Sequence, residues 1–262
     1  MSGMEFAMYQ VDAFTQRRFH GNPAAVVITD VWLPVATMQA VAAENNLAET
    51  AFVVAEGPRF AIRWFTPTVE IELCGHATLA SAYVLLTHGY TSNDPIEFRY
   101  GGGTLQVARD GERLALDFPS RPPEPTALAR QVGDALGALA RETYAAKAML
   151  AVFDTDREIA ALRPNMDAVA RLPGYGLIVT APGSDCDFVS RFFAPQSGVP
   201  EDPVTGSAHC TLIPYWSKRL GKARLYARQL SARGGELWCE DRGERVTMAG
   251  YAAQYLVGKI TV

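Results

Sequence analysis

Two glycine turns hold the side chains best suited to chemistry. The first glycine turn is Cys74-Gly-His76 and the second is Thr205-Gly-Ser207, and each leads into a long apolar stretch with helical spacing. A glycine at the start of a helix leaves backbone N–H groups uncovered, and these groups attract an anion or an enolate oxygen. Both turns therefore predict binding of such an oxygen, with plain helix capping as the alternative.

Two side chains in or near these turns could move protons. His76 lies in the first turn of its helix, where the helix dipole disfavours imidazolium, so we expect a neutral imidazole that donates or accepts a proton. Asp202 lies four residues before Gly206, in the sequence Glu201-Asp-Pro. Its carboxylate could orient or pair with His76, although turn formation by Asp-Pro alone also explains the residue.

Internal repetition indicates the elements that position these side chains. Three segments recur in the same order at offsets of 128, 128 and 131 residues, which indicates two copies of one supersecondary unit. In each copy the helix after the glycine turn is apolar nearly all round, which predicts a helix buried among strands. The matching pairs are Met38–Ala42 with Met166–Ala170, Arg63–Pro67 with Arg191–Pro195, and Gly75–Ala77 with Gly206–Ala208.

The two copies differ in length next to a carboxylate. Ala42 lies ten residues before Phe52 in the first copy, whereas Ala170 lies seven residues before the matching Leu177 in the second. The first copy therefore has three more residues at this point, and the longer connection contains Glu49. Because Glu49 has no counterpart in the second copy, the shared fold does not require it, and it is a candidate catalytic residue.

The apolar periodicity predicts an α+β protein in which strands outnumber helices. The proline-rich segment Arg121–Pro125 separates an N-terminal repeat over residues 1–119 from a C-terminal repeat over residues 120–262. The last strand could pack back on the first half. The predicted helices are Val35–Ala43, His76–Thr87, Pro125–Tyr144, Met166–Arg171 and Ser207–Leu220.

Composition and charge argue against several kinds of protein. The 262 residues carry 24 basic and 28 acidic side chains, a net charge of −4, so no basic excess favours nucleic-acid binding. No apolar run approaches the roughly 18 residues of a membrane span, and the N-terminal residues lack a secretory layout, so we expect a cytoplasmic protein. The spacing of Cys74, His76, His209 and Cys210 is unlike that of zinc sites, and nucleotide-binding glycine motifs are missing. We therefore expect neither a metal nor a cofactor.

A set of motifs from residue 11 to residue 235 resembles the phenazine-biosynthesis PhzF-like family. The resemblance implies the diaminopimelate-epimerase-like fold, in which two pseudo-symmetric halves each form a barrel-like β-sheet around a central helix, with the active site between them. It also implies a cofactor-independent, proton-shuttling isomerase of a small carboxylate, often a homodimer. The motifs are Val11–Thr15, Phe19–Pro23, Asn46–Thr50, Phe65–Pro67, Leu73–Thr78, Glu201–Ala208 and Gln229–Gly235.

The resemblance also implies roles for individual residues. It assigns catalysis to Glu49, His76 and Asp202, and it assigns substrate binding to the two glycine turns through Gly75, Gly206 and Ser207. Two further residues, Asn22 and Arg233, are candidates to line the same site.

Two alternative functions stay open at this point. Related epimerases carry a cysteine before each glycine turn, but Thr205 stands in the second turn, and a hydroxyl is far too weakly acidic to replace a thiolate. An epimerase would therefore have to use Glu49 and Cys74 as opposed bases. The other alternative is a catalytically silent protein that only binds a small molecule.

Overall fold

The chain divides into two units. The structure, a computed structural model, describes residues 3–262. The chain forms a first unit that extends to Asp117 and resumes at Ala249, and a second unit over Phe118–Met248.

The first unit combines eight strands from the N-terminal part of the chain with two helices. Strands β2 and β3 run parallel, as do β4 and β6, whereas the β1–β2, β3–β4, β4–β5, β6–β7 and β7–β8 pairs are antiparallel. The elements are β1 (Glu5–Ala13), β2 (Asn22–Thr29), α1 (Val35–Asn45), β3 (Glu49–Glu56), β4 (Arg59–Phe65), β5 (Glu70–Ile71), α2 (Gly75–Thr87), β6 (Ile96–Tyr100), β7 (Gly103–Asp110) and β8 (Arg113–Pro119).

The second unit repeats this order of pairing. Strands β11 and β12 run parallel, as do β13 and β15, whereas the β12–β13, β13–β14 and β15–β16 pairs are antiparallel. The elements are β9 (Glu124–Pro125), α3 (Ala129–Leu136), β10 (Glu142–Ala145), β11 (Met149–Val152), α4 (Asp156–Ala161), α5 (Met166–Ala170), β12 (Leu177–Pro182), β13 (Phe188–Ala194), β14 (Val199–Asp202), α6 (Gly206–Leu220), β15 (Arg224–Gln229), β16 (Gly235–Asp241) and β17 (Arg245–Gly250).

The last strand returns to the first unit. Strand β18 (Ala252–Thr261) pairs antiparallel with β1, and the register shifts at a bulge between Gln10 and Val11. This pairing is the packing of the last strand on the first half that the sequence allows.

Each unit surrounds one apolar helix. Helix α2 packs against β1, β2 and β3 and buries every residue from His76 to Leu85 except Tyr83. Helix α6 packs against β15 and β16 and is buried over most of its length. The sheet around a central helix and the two pseudo-symmetric halves confirm the predicted α+β class. In the described residues 3–262, no helix is both long and apolar enough to cross a membrane.

The repeated frame includes the same ion pair in both units. The guanidinium of Arg63 donates two hydrogen bonds of 2.7 Å to Glu70, and that of Arg191 donates bonds of 2.8 and 3.0 Å to Glu201. Each guanidinium also lies over a phenylalanine ring two residues further on. The Arg191 side chain is 10% exposed against 28% for Arg63, so the second pair is the more desolvated.

Two expectations from the sequence are wrong. The predicted helix over Pro125–Tyr144 is only the short α3, because Gly137 adopts a left-handed conformation (φ 66°) that ends the helix, and the chain then enters β10. The second wrong expectation is the difference in length between the two copies, which is one residue rather than three. Phe65 pairs with Thr50 and the equivalent Phe193 pairs with Leu177, so Leu177 corresponds to Thr50 rather than to Phe52.

The two ion pairs differ in desolvation, and we expect their loss to differ in cost. Glu201→Gln should lower the free energy of unfolding by about 1–3 kcal/mol, because it leaves the buried Arg191 without a counter-charge. Glu70→Gln should cost at most about 1 kcal/mol, since water screens the more exposed Arg63. Urea unfolding followed by circular dichroism measures both variants. Equal losses would contradict the difference in desolvation.

Candidate active site

The position of Glu49 is set by the end of one helix and the register of one strand. Asn46 ends α1 in a left-handed conformation (φ 48°), and the chain reverses into β3, of which Glu49 is the first residue. Parallel pairing places Glu49 opposite Ala24 of β2. The carboxylate is therefore held at the beginning of a central strand rather than in a free loop.

The imidazole of His76 lies between the carboxylate of Glu49 and two other polar groups. Its Nε2 atom is 3.1 Å from Oε2 of Glu49. Its Nδ1 atom is 3.1 Å from Nδ2 of the buried Asn22, the first residue of β2, and 3.5 Å from Sγ of Cys74. The His76 side chain is 5% exposed and that of Glu49 is 14% exposed, so the carboxylate is the more accessible member of the pair.

The structure corrects the expected charge of His76. Burial favours the neutral imidazole, but the Glu49 carboxylate in contact with it favours the charged form, and the pKa of His76 lies well above its ordinary value of 6.5. The expected neutral imidazole relied on the helix dipole alone, whose effect is weaker than that of a carboxylate in contact. Glu49 and His76 are therefore expected to form a carboxylate–imidazolium pair at neutral pH.

Cys74 is a protonated thiol in this environment. Burial, together with the Glu49 carboxylate, raises the pKa of Cys74 to about 11. One donor atom each from Glu49, Cys74 and His76 lies within 4.8 Å of the others, so these residues are potential metal ligands. However, Cys74 and Glu49 face different nitrogens of the same imidazole. A single ion cannot bind both nitrogens, and the three donors do not converge as a zinc site requires.

Asp202 is held next to the second glycine turn. Thr205 Oγ1 donates a hydrogen bond of 2.6 Å to Oδ2 of Asp202. The buried Gln229 accepts a 2.9 Å hydrogen bond from the Thr205 N–H and donates one of 2.8 Å to the Asp202 carbonyl. Gln229 belongs to a motif in the sequence, but its role as a brace of this turn is visible only in the structure.

Tyr175 is a residue that sequence analysis missed. Its hydroxyl donates a 3.0 Å hydrogen bond to Oγ of Ser207, the second residue of α6. Burial raises the pKa of Tyr175 to about 12. The signal available in the sequence was a tyrosine between two glycines immediately before a predicted strand.

The candidate residues fall into two groups. In the first unit, Glu49, His76 and Asn22 are brought together at the start of α2, which begins at Gly75. In the second unit, the other candidates lie around the start of α6. They are Asp202, Gly206 and Ser207, with Arg233 in the turn between β15 and β16.

Each half thus encloses a helix that starts at a glycine turn, and a carboxylate–imidazole pair lies at the first of these turns. The chain belongs to the PhzC-PhzF family, described as phenazine biosynthesis-like protein, which it matches over residues 11–258.

Known proteins similar to the chain agree with this family. An uncharacterized isomerase of Pseudomonas aeruginosa is 51% identical over 98% of this chain and 99% of its own length. The crystal structure of a PhzF-family protein from Enterococcus faecalis is 45% identical, with a TM-score of 0.96 over 99% of this chain and 100% of that one. A hydroxyproline epimerase from Agrobacterium vitis shares the fold, with a TM-score of 0.62 and 11% identity over 98% of this chain and 93% of that one.

The charge of His76 leads to a test by NMR. The pKa of His76 should lie above 6.5 in the wild-type protein and should fall in Glu49→Gln, because burial then acts without the opposing charge of the carboxylate. A histidine whose pKa rises on folding stabilises the protein fully below its unfolded pKa of about 6.5, and this contribution is lost as the pH rises through the folded value. Imidazole nitrogen shifts, recorded from pH 5 to 10, report the protonation directly.

His209 is the internal control for this titration. Burial lowers its pKa to about 4, and its Nδ1 lies 2.8 Å from the Thr205 carbonyl. It should stay neutral over the whole range in both proteins. A His76 signal that is neutral at pH 6 in the wild-type protein would contradict the assigned pair.

Proposed function

We propose that the protein is a cofactor-independent isomerase that moves a proton within a small carboxylate substrate by general acid–base catalysis. The observation that carries the proposal is the 3.1 Å contact between the partly accessible Glu49 carboxylate and the buried His76 imidazole. A carboxylate held against an imidazolium can accept a proton from one carbon and return it to another, which is what an isomerisation of this kind requires.

The difference in accessibility suggests separate roles for Glu49 and His76 in the reaction. Glu49, the more exposed partner, removes a proton from a carbon of the substrate. The electrons of the broken C–H bond move into the conjugated carboxylate system, and the proton is then returned to another carbon. Glu49 carries the proton between the two carbons, and the buried imidazolium of His76 balances the charge of the Glu49 carboxylate before and after the transfer. The reaction begins and ends with the same atoms and electrons, so proton transfer alone completes it.

The two glycine turns supply the proposed contacts to the substrate carboxylate. In the described part of the chain, neither Cys74 nor Thr205 caps its helix with a side-chain hydrogen bond, so the first N–H groups of α2 and α6 are available to an anion. Ser207 adds a hydroxyl to the second turn. The hydrogen bond from Thr205 orients the carboxylate of Asp202. Asp202 would transfer a second substrate proton, on a heteroatom or a neighbouring carbon.

An epimerase that uses Glu49 and Cys74 as opposed bases receives less support. Each base must lie about 3 Å from the carbon on opposite faces, so the two would be about 6 Å apart. A Glu49 oxygen and the Cys74 sulfur lie within 4.8 Å of each other, and the sulfur contacts the same imidazole as Glu49. The raised pKa of Cys74 also leaves little thiolate at neutral pH.

Incubation in D2O with dihydrohydroxyanthranilate, and separately with stereopure amino acids, tests the proposal. We expect deuterium to enter a carbon of the product at a shifted position. Glu49→Gln should reduce the rate at least about a hundredfold, because an amide cannot act as the base. Glu44→Gln, an exposed residue of α1, is the matched control and should leave the rate unchanged.

The other outcomes separate the alternatives. Deuterium uptake with loss of chirality and no shift of position would support an epimerase instead. Binding without exchange would favour a silent binding protein. Undiminished exchange in Glu49→Gln would refute the assignment of the base.

A further inference from the structure

The second unit contains a polar pair that corresponds in place to Glu49 and His76. Ser207 occupies the position of His76, since each is the second residue of its helix and the two are 131 residues apart. Tyr175 lies just before β12, as Glu49 lies at the start of β3, and its hydroxyl reaches Ser207 at 3.0 Å. In both units a side chain from the start of this strand therefore contacts the second residue of the central helix.

The strand register shows why the second unit uses a tyrosine one residue earlier. Leu177 corresponds to Thr50, so the counterpart of Glu49 is Gly176. A Cβ atom at Gly176 would lie 2.4 Å from the Phe192 ring and 2.8 Å from a backbone carbonyl. No side chain fits there, and the polar contact comes from the neighbouring Tyr175.

We propose that Tyr175 is a positioning residue that orients the Ser207 hydroxyl to donate a hydrogen bond to a substrate carboxylate. This inference rests on the proposed function, which assigns the second glycine turn to binding that carboxylate. Because the Tyr175 hydroxyl donates a hydrogen bond to Oγ of Ser207, the serine oxygen is the acceptor in this bond. The serine proton is then directed toward another acceptor, and the two hydroxyls form a chain that ends at the bound oxygen.

The local environment supports the accessibility of the Ser207 hydroxyl and the protonated state of Tyr175. Burial raises the pKa of Tyr175 to about 12, so its hydroxyl keeps its proton near neutral pH, where a substrate carboxylate is ionised. Gly206 and Ala208, on either side of Ser207, are buried, whereas Ser207 is half-buried. Ser207 is therefore the hydroxyl of this turn that a ligand can reach.

A double-mutant cycle on ligand binding tests the inference. Anthranilate serves as the probe because it has a carboxylate but no sp3 carbon from which a proton could be removed. Tyr175→Phe, which keeps the ring, should weaken anthranilate binding about three- to tenfold, the range expected for one hydrogen bond. Ser207→Ala should weaken it by a similar factor. The double variant should bind no more weakly than Ser207→Ala, because Tyr175 acts through Ser207.

Kinetics of deuterium uptake and a matched control complete the design. Tyr175→Phe should raise KM by the same factor and leave kcat within about twofold. Tyr226→Phe removes a hydroxyl that is bonded to Glu236 in the same unit and should change neither constant.

Each result decides one of the two proposals. Three results would overturn the role of Tyr175. They are wild-type affinity for anthranilate in Tyr175→Phe, losses of affinity that multiply in the double variant, and no anthranilate binding by the wild-type protein. Anthranilate binding with the expected cycle but without any deuterium exchange would support the role of Tyr175 and refute the isomerase.

Discussion

The contact between Glu49 and His76 depends on two chain segments being fixed at the same place. Strand β3 must begin at Glu49, and helix α2 must begin directly before His76, because a shift of either by one residue would turn its side chain away. Burying such a pair has a desolvation cost that only close contact offsets, here 3.1 Å. The surrounding strands and the end of α1 are thus required for the chemistry proposed at this pair.

The same frame occurs twice in the chain, but the polar groups at its centre differ. Both units have the parallel strand pairs, the buried helix after a glycine turn and the Arg–Glu pair. At the start of the repeated strand, one unit has Glu49 and the other has Gly176 with Tyr175 beside it. The repeated residues hold the fold, whereas the residues that differ underlie the two roles proposed above: proton transfer at one turn and hydrogen-bond donation at the other.

Sequence predicts well what depends on local pattern. The helical spacing located α1, α2 and α6 to within about two residues. The repeat drew attention to Glu49, but through a length difference of three residues that is really one, and the position equivalent to Glu49 is Gly176. Local sequence patterns do not predict properties that depend on contacts between distant segments. The charge of His76 is set by Glu49, 27 residues away, and the bond from Tyr175 to Ser207 spans 32 residues. Alanine-rich spacing also predicted too long a helix near residue 137, because periodicity alone does not show where a glycine ends it.

In the proposed mechanism, Glu49 and His76 act as one unit in proton transfer. Rates of deuterium uptake in wild-type protein, Glu49→Gln, His76→Gln and the double variant test it most directly. If the two side chains act together, adding His76→Gln to Glu49→Gln should slow the reaction less than about twofold further, although His76→Gln alone slows it strongly. Losses that multiply in the double variant would show independent roles and would contradict the account.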